Sequence, residues 1–306
     1  MTELIMFYNV ENLYLPDSES EAGQSSGLHH WDDYKYQLKI RKISNVFLYI
    51  KDDFGSLPSL IGLAEIGAGE VLDHLTEENS AVHGYGIIYR QSPDPRRLSV
   101  ALLFDKTKYK LLRHEMLQFR MAESPEFDTR DILHAELLSD GKKIHVFVCH
   151  LPSKRERDVK KVQRDYILGN LSETIQELTD KEEPVILMGD FNENPDTKVM
   201  QQFLVNKNGS KMLSNPFESL YHKSQFSTYH GKLGVGFDQI LYSEGSLLKT
   251  LNLNSISAEI YNASRLRNKN RKNSNYPLRT YSGSRYIGGW SDHFPVLIKL
   301  THSIGS

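Results

Sequence analysis

"VILMGDFNENP", residues 185–195, contains an apolar run that stops abruptly at Gly189 and is followed by polar residues. The short apolar run from Val185 to Met188 predicts a strand that is buried on both faces. Asp190 and Asn192 follow at its end, before a turn at Asn194-Pro195. Acids and amides are common in turns because their side chains bond to the nearby backbone. The stretch therefore predicts a buried strand, and it indicates a functional site only if other parts of the chain bring suitable residues to the same place.

The rest of the chain alternates between strand and helix patterns without a linker or an internal repeat. Apolar residues at helical spacing predict an amphipathic helix from about Tyr34 to Lys51, and a long charged helix is predicted from Arg155 to Thr179. The turn formers Ser139, Asp140 and Gly141 predict a hairpin between two apolar strands. Neighbouring antiparallel strands argue against a purely parallel sheet. We therefore predict one α/β (α+β) domain, residues 1–306, with a mixed or antiparallel two-sheet core and helices outside.

Composition excludes several function classes. The 306 residues carry a net charge of -2, so no overall positive field indicates nucleic acid as a partner. The single cysteine, Cys149, excludes an intramolecular disulfide framework and zinc sites built from several thiolates, and we expect it to be a buried, inert thiol. No leader-like or membrane-spanning segment is recognised, so we expect a cytoplasmic protein without stable membrane association; a secreted protein would look the same if its signal peptide had been removed.

Polar residues recur at the boundaries of the predicted strands. In a sheet with antiparallel neighbours, the end of one strand lies beside the beginning of the next, so such residues can meet at one edge. Any one of them would be unremarkable alone, but so many on separate strands predict a site. They are Asn9, Glu11, Glu65, His150, Asp190, Asn192, Asp238, Asp292 and His293.

The chemistry of this set favours phosphate-ester hydrolysis. Its carboxylates are hard oxygen donors suited to Mg²⁺ or Mn²⁺, and a cation would offset their mutual repulsion. His150 and His293 can donate to a phosphoryl oxygen or move a proton. No complete dinucleotide-binding, phosphate-loop or serine-hydrolase motif competes with this interpretation.

The ordered motifs carry a family resemblance across nearly the whole chain. They resemble those of the endonuclease/exonuclease/phosphatase superfamily, with the DNase I-like fold, and "HLPSKRE" and "NVENLY" are similar to a bacterial branch of it. The resemblance implies a four-layer α/β/β/α sandwich, with two mixed sheets packed face to face and helices outside. The motifs are "NVEN", "LIGLAE", "TRDILHAEL", "VFVCHLPSKRE", "GDFNENP", "GFDQILYS" and "GWSDHFPV".

The resemblance also implies a divalent cation, Mg²⁺ or Mn²⁺, and the residues that would hold it. Glu65 resembles the family's principal metal ligand. Asn9 and Glu11 are expected to line the metal side, and Asp292 resembles a further ligand.

For the chemical step, Asp190 resembles the residue that orients or activates the attacking water, steadied by Asn192. His293 resembles the imidazole that contacts the scissile phosphate, with Asp238 as its orienting carboxylate. His150 stands at the position of a second catalytic or phosphate-binding imidazole.

A further group of residues is expected to bind the substrate phosphate. Arg130 resembles a phosphate-contacting arginine, whose planar fork suits that task. Ser153, Lys154 and Arg155 extend the group, although a helix N-cap followed by surface charge would give the same sequence. Glu193 is expected to face solvent.

Three functions remain open on the sequence, in this order. The first is a metal-dependent nuclease acting on DNA or RNA, endo- or exonucleolytic. The second is a phosphodiesterase or phosphatase acting on a small or lipid substrate, such as a sphingomyelinase or an inositol phosphatase. The third is a catalytically silent binding module on the same fold. Such a module is expected to lack some of the five most diagnostic site residues, all of which are present here: Glu65, Asp190, Asn192, Asp292 and His293. No protein partner is implied.

Overall fold

A computed structural model describes residues 2–18, 26–93, 95–121, 131–154, 158–270 and 274–303. Within these ranges the strands are β1 Thr2–Leu13, β2 Leu60–Ile66, β3 Gly86–Tyr89, β4 Ser99–Phe104, β5 Lys110–Leu117, β6 Ile132–Ser139, β7 Lys142–His150, β8 Val185–Asp190, β9 Thr228–His230, β10 Leu233–Val235, β11 Asp238–Tyr242, β12 Leu253–Ile260, β13 Tyr281–Ser282, β14 Arg285–Tyr286 and β15 Val296–His302. The α-helices are α1 Asp33–Phe54, α2 Gly69–Leu75, α3 Lys161–Thr179, α4 Lys198–Phe203, α5 Phe217–His222 and α6 Glu244–Leu251, and Ser264–Leu266 forms a 3₁₀ turn.

The strands form two large mixed sheets. The first has the order β12-β15-β1-β2-β4-β3, in which β1 runs antiparallel to β15 and parallel to β2. The second has the order β11-β8-β7-β6-β5, in which β8 runs parallel to β7 and antiparallel to β11. A purely parallel arrangement is thus excluded, as the hairpin pattern of the sequence predicted. Two short pairs, β9-β10 and β13-β14, stand apart from them.

The two sheets pack face to face through one apolar core. Gly62 on β2 shows how close they come, because a Cβ at that position would lie 2.4 Å from the Met188 sulfur on β8. A larger residue at position 62 would push the sheets apart or displace Met188. Leu63 of the first sheet and Val148 of the second belong to the same buried cluster.

Helices cover the outer faces and complete a four-layer sandwich. The buried side of α1 joins the main core, and its ends are fixed by the Asp32 carboxylate, which accepts from Lys35 N at 2.9 Å, and by Gly55 at φ 80°. On the other outer face, Ile167 and Leu171 of α3 pack with Phe147 in a second apolar cluster. The predicted α/β/β/α sandwich is confirmed.

The strands β5 and β12 were missing from the sequence prediction. Both lie at sheet edges, and half or more of their residues are at least partly exposed. Edge strands carry polar residues that discourage further pairing, which removes the apolar run by which a central strand is recognised.

Two predicted boundaries are corrected. The long helix begins at Lys161 and not at Arg155, which lies outside the described residues. Asp292 and His293 do not open the last strand, because β15 begins at Val296 and both residues lie in the preceding loop. Polar residues in the sequence indicate that a strand begins nearby, but the exact boundary is set by the first hydrogen bond of the ladder.

Candidate active site

Strand ends from both sheets bring the predicted site residues together. In the second sheet the register aligns His150 and Asp238 with Asp190 from either side. Gly189, one residue earlier, is required by this close pairing, since a Cβ there would lie 2.4 Å from the Cys149 carbonyl oxygen. In the first sheet, Asn9 pairs with Ala64, immediately before Glu65. The site lies where the ends of these strands from the two sheets meet across the sandwich.

The backbone is unusual at the same place. Four non-glycine residues adopt left-handed conformations, namely Glu11 at φ 54°, Asn12 at 50°, Glu65 at 68° and Asn192 at 51°. Such residues are uncommon and cost of order 1–3 kcal/mol each, and they cluster at functional sites. At Glu65 the conformation coincides with a register shift in both neighbouring ladders, which re-aims its side chain.

Asp190 is the hub of the site. Its Oδ1 accepts a hydrogen bond from Asn192 N at 3.0 Å, and its Oδ2 accepts one from Asn9 Nδ2 at 3.1 Å. The Nε2 atoms of His150 and His293 lie 3.6 and 3.9 Å from the same Oδ2. Burial and the neighbouring Asp238 raise the pKa of Asp190 to about 7, although His293 opposes the shift. This carboxylate is therefore buried, oriented and suited to exchange a proton near neutral pH.

Glu65 stands on the first-sheet side of the hub. Its Oε1 accepts from Asn9 Nδ2 at 3.4 Å and lies 3.9 Å from His150 Nε2, while its Oε2 accepts from Asn12 N at 2.7 Å. The Asn9 amide nitrogen thus connects Glu65 to Asp190, and the Asn9 Oδ1 atom accepts from Glu11 N at 3.1 Å. In this orientation Asn9 fixes the spacing of the two carboxylates.

His293 is in hydrogen-bond contact with Asp238. Its Nδ1 lies 2.7 Å from Asp238 Oδ2, which also accepts from the Ser227 hydroxyl at 2.6 Å. Burial alone would lower the pKa of His293, but Asp238, Asp292 and Asp190 outweigh it and hold that pKa well above its ordinary value. These carboxylates favour the protonated ring, whose Nε2 is turned toward Asp190 and Asp292.

Glu11 has a partner that the sequence prediction missed. Lys39 on α1 is 1% exposed, and its Nζ lies 3.8 Å from Glu11 Oε2, which also accepts from Thr280 N at 2.6 Å. Burial and Asp292 raise the pKa of Glu11 to about 7, while burial lowers the pKa of Lys39 to about 8. The position of Lys39 on the apolar face of α1 indicates a buried cation, and cations are almost never fully buried unless paired. The sequence does not identify Glu11 as the partner.

Asp292 also has a cationic partner that was missed. Arg279 donates to Asp292 Oδ2 at 2.7 Å, and the Asp292 Oδ1 atom lies 3.8 Å from His293 Nε2. Burial would raise the pKa of Asp292, but His293 and Arg279 together hold it below its ordinary value. Arg279 lies in an irregular polar segment, and nothing in its local sequence distinguishes it.

The prediction that Glu193 faces solvent was wrong. Glu193 is 3% exposed, and its Oε1 accepts from Arg164 Nε at 2.9 Å and from Arg164 NH2 at 2.6 Å. Its Oε2 accepts from Lys154 Nζ at 2.7 Å. The burial of Glu193 cannot be predicted from the short polar motif around it, because its partner Arg164 lies on the buried side of the helix α3. Glu193 anchors the loop that follows Asp190.

The expected phosphate-binding group is only partly described. Ser153 and Lys154 lie in the loop after β7, half-buried, and Lys154 carries the ion pair with Glu193. Arg130 and Arg155 lie outside the described residues.

Arg164→Met is expected to lower the free energy of unfolding by about 3–5 kcal/mol, because it leaves Glu193 buried without its main partner. Chemical denaturation measures this loss. Lys207→Met is the matched control, since the Lys207–Glu173 pair is 72% and 61% exposed and should contribute under about 1 kcal/mol. Equal losses in the two variants would contradict the anchoring role of Arg164.

Cys149 is fully buried, and burial together with Asp190 raises its pKa well above the ordinary value, as expected for an inert thiol. Among the described residues, no helix is both long enough and apolar enough to cross a membrane.

Comparison with solved structures gives the same fold at low identity. TDP2 from C. elegans matches with a TM-score of 0.62 and 15% identity over 98% of this chain and 75% of that one. The human Nocturnin catalytic domain with bound sulfate matches with a TM-score of 0.59 and 16% identity over 99% and 95%. A mannosyl-6-phosphatase from Bacteroides thetaiotaomicron matches with a TM-score of 0.59 and 14% identity over 98% and 99%. No curated protein matches the sequence significantly.

The sequence itself identifies the family. The model of the Endonuclease/Exonuclease/phosphatase family matches residues 4–302, which spans both sheets and every strand-end residue described above. The chain therefore belongs to the Endonuclease/Exonuclease/phosphatase family.

Proposed function

We propose that this protein is a divalent-metal-dependent phosphoesterase that hydrolyses phosphodiester bonds, with nucleic acid as the favoured substrate class. The observation that carries the proposal is the arrangement around Asp190 Oδ2, which lies 3.6 and 3.9 Å from two imidazole nitrogens. Asn9 links the same oxygen to Glu65. A buried carboxylate that can act as a base, two imidazoles and a second carboxylate are groups that can catalyse the hydrolysis of a phosphate ester.

The donor set fits a hard cation. Glu65, Glu11 and Asp292 supply carboxylate oxygens, and Asn9 supplies an amide, which are the ligand types that Mg²⁺ and Mn²⁺ take. Burial and the neighbouring Asp292 raise the pKa of Glu11, so both disfavour its negative charge. When bound, the cation would polarise the phosphoryl group and offset this charge.

The protein's own residues would carry the proton and charge steps. Asp190, fixed through Asn192 N and Asn9 Nδ2, would orient the attacking water and accept its proton. His293, protonated and held by Asp238, would donate through Nε2 to a phosphoryl oxygen as negative charge develops. His150 would stabilise the same charge from the β7 side.

A stacked aromatic pair beside the site supports a nucleic-acid substrate. Tyr229 and Tyr276 stack with ring centroids 3.9 Å apart, and the residue before Tyr229, Thr228, forms a β-bridge with His293. Bases stack on such side chains without sequence preference. One structure with this fold, D. rerio TDP2, is a complex with a single-strand DNA product, at 14% identity to this chain. The aromatic pair favours an extended, base-bearing substrate over a sugar phosphate.

The purified protein with Mg²⁺ or Mn²⁺ is expected to hydrolyse an activated phosphodiester and an oligonucleotide, and EDTA should abolish both activities. Re-addition of excess Mg²⁺ should restore them, which separates metal loss from irreversible unfolding. Mannose 6-phosphate and a sphingolipid diester test the small-molecule and lipid alternatives in the same assay. Turnover of those substrates alone would reject the nuclease assignment, and no turnover of any substrate would reject the enzyme.

A further inference from the structure

A second cluster of metal-ligand residue types lies on the outer face of the second sheet, away from the active site. His134 on β6 and His145 on β7 approach each other with 2.9 Å between His134 Nε2 and His145 Nδ1. Glu136 is the direct cross-strand partner of His145, and its Oε1 lies 3.8 Å from His145 Nδ1. Both histidines are buried, at 5% and 1% exposed. His145 is separated from His150 by five residues of strand, about 16 Å.

Each histidine turns its other ring nitrogen toward a carboxylate. His134 Nδ1 lies 3.0 Å from Glu115 Oε1, and His145 Nε2 lies 3.5 Å from Glu183 Oε2. The four groups thus form a row with a carboxylate at each end and two imidazoles between them. A carboxylate that orients a histidine through its second nitrogen is the usual outer support of a metal-bound imidazole.

This row has a deficit of N–H hydrogens when both imidazoles are neutral. The row has three gaps to fill, one between the two rings and one at each carboxylate, but two neutral imidazoles carry only two N–H groups. If His134 donates to Glu115 and His145 donates to His134, then His145 Nε2 has no hydrogen to offer Glu183. Among the described residues, His145 Nε2 is indeed a buried nitrogen without a hydrogen-bond partner.

A cation between the rings would remove this deficit. Both outer N–H groups could then donate to their carboxylates, and the two inner nitrogens would face the ion with their lone pairs. We propose that His134 Nε2, His145 Nδ1 and Glu136 bind one divalent transition-metal ion such as Zn²⁺. One possible ligand atom from each of the three residues lies within 4.8 Å of the other two. A tetrahedral Zn²⁺ site places its nitrogens about 3.4 Å apart, so the rings would separate by about 0.5 Å and turn their lone pairs toward the ion.

Arg113 is the competing partner for Glu136. Its NH2 lies 2.8 Å from Glu136 Oε1, but its side chain is 66% exposed and can withdraw into water at little cost. The site would therefore exchange an exposed ion pair for a metal bond. Two imidazoles and one carboxylate favour Zn²⁺ over Mg²⁺, which prefers oxygen ligands, so the site is chemically distinct from the one proposed for catalysis.

Equilibrium dialysis against Zn²⁺ in excess Mg²⁺ tests the proposal on the full chain. His134→Gln and His145→Gln should each bind one equivalent less than the wild type. His114→Gln is the matched control, because His114 is an exposed histidine on the adjacent strand β5, and it should bind as the wild type does. Repeating the series in a Glu65→Gln, His293→Ala background separates this ion from Zn²⁺ held at the active site. The same stoichiometry in all variants would overturn the proposal.

Glu115→Gln provides a second test that does not depend on buried substitutions. The Glu115 side chain is 52% exposed, so the variant should fold, and as a positioning residue it should weaken Zn²⁺ binding about 10- to 100-fold without changing the stoichiometry. Cobalt substitution gives a spectroscopic readout, because nitrogen ligation should produce a visible absorption band that His145→Gln loses. An unchanged Zn²⁺ affinity in Glu115→Gln, together with an unchanged cobalt spectrum in His145→Gln, would contradict the site.

Discussion

Asp190→Asn is expected to lower kcat by about 10²–10⁴-fold, the range that a positioned acid–base group contributes. The amide oxygen of the variant can still accept from Asn192 N, so the loop should keep its conformation. What the variant lacks is the negative oxygen that lies between the two imidazoles and would accept the proton of water. Steady-state kinetics on an activated phosphodiester at saturating Mg²⁺ measures the loss.

Stability provides the control for Asp190→Asn. Burial raises the pKa of Asp190 to about 7 in the folded protein, above its ordinary value in the unfolded chain. Its contribution to stability is therefore fully present below the unfolded-state pKa of 3.8 and is lost as the pH rises from there to about 7. In EDTA, the wild type should lose stability relative to Asp190→Asn over this range. A variant that is inactive because it unfolds would show the opposite, a lower melting temperature than the wild type at every pH.

His293→Ala is expected to lower kcat by about 10²–10³-fold, the cost of removing one donor to a developing oxyanion. The effect should be large because the ring is held as a cation by Asp238, at 2.7 Å, and because its Nε2 faces the hub of the site. His222→Ala is the matched control, since the His222 side chain is 59% exposed and outside the site, and it should retain wild-type kcat. Equal activity in the two variants would remove His293 from the proposed mechanism.

Asp238→Asn separates orientation from charge at the same histidine. Asp238 is the largest influence that raises the pKa of His293, so its neutralisation should lower that pKa. Activity that depends on protonated His293 should then decline at a lower pH than in the wild type, in addition to a lower maximum. An unchanged pH profile would mean that Asp238 acts only as a structural residue beneath the ring.

These variants also separate an enzyme from a silent binding module. A module would bind phosphate-ester ligands without turnover, and neither Asp190→Asn nor His293→Ala would then change any rate. The structure keeps Glu65, Asp190, Asn192, Asp292 and His293 in one place, with hydrogen bonds that fix their orientation. Burying these charged groups costs free energy, and a binding module without catalysis has no chemical step that uses them.

The central strands, the amphipathic helix α1 and the residue types at the strand ends could be predicted from the amino-acid sequence. These are local properties, because strand and helix periodicity are written in consecutive residues. Asp190 and Asn192 could thus be placed at the end of a buried strand before any contact was known. The edge strands β5 and β12 could not be, since an edge position is a property of the whole sheet.

The contacts between side chains that are distant in sequence are visible only in the three-dimensional structure. Lys39 reaches Glu11 from a helix, Arg164 reaches Glu193 from another, and neither pairing has a sequence pattern of its own. The two histidines of the outer cluster, His134 and His145, are neighbours only through the register of β6 and β7. Partners of this kind are fixed by sheet order and by register, because a shift of one residue turns every side chain of a strand to the other face. In this protein the residue types of the site can therefore be read from short stretches of sequence. The partners that orient these residues and shift their pKa values depend on contacts between distant parts of the chain.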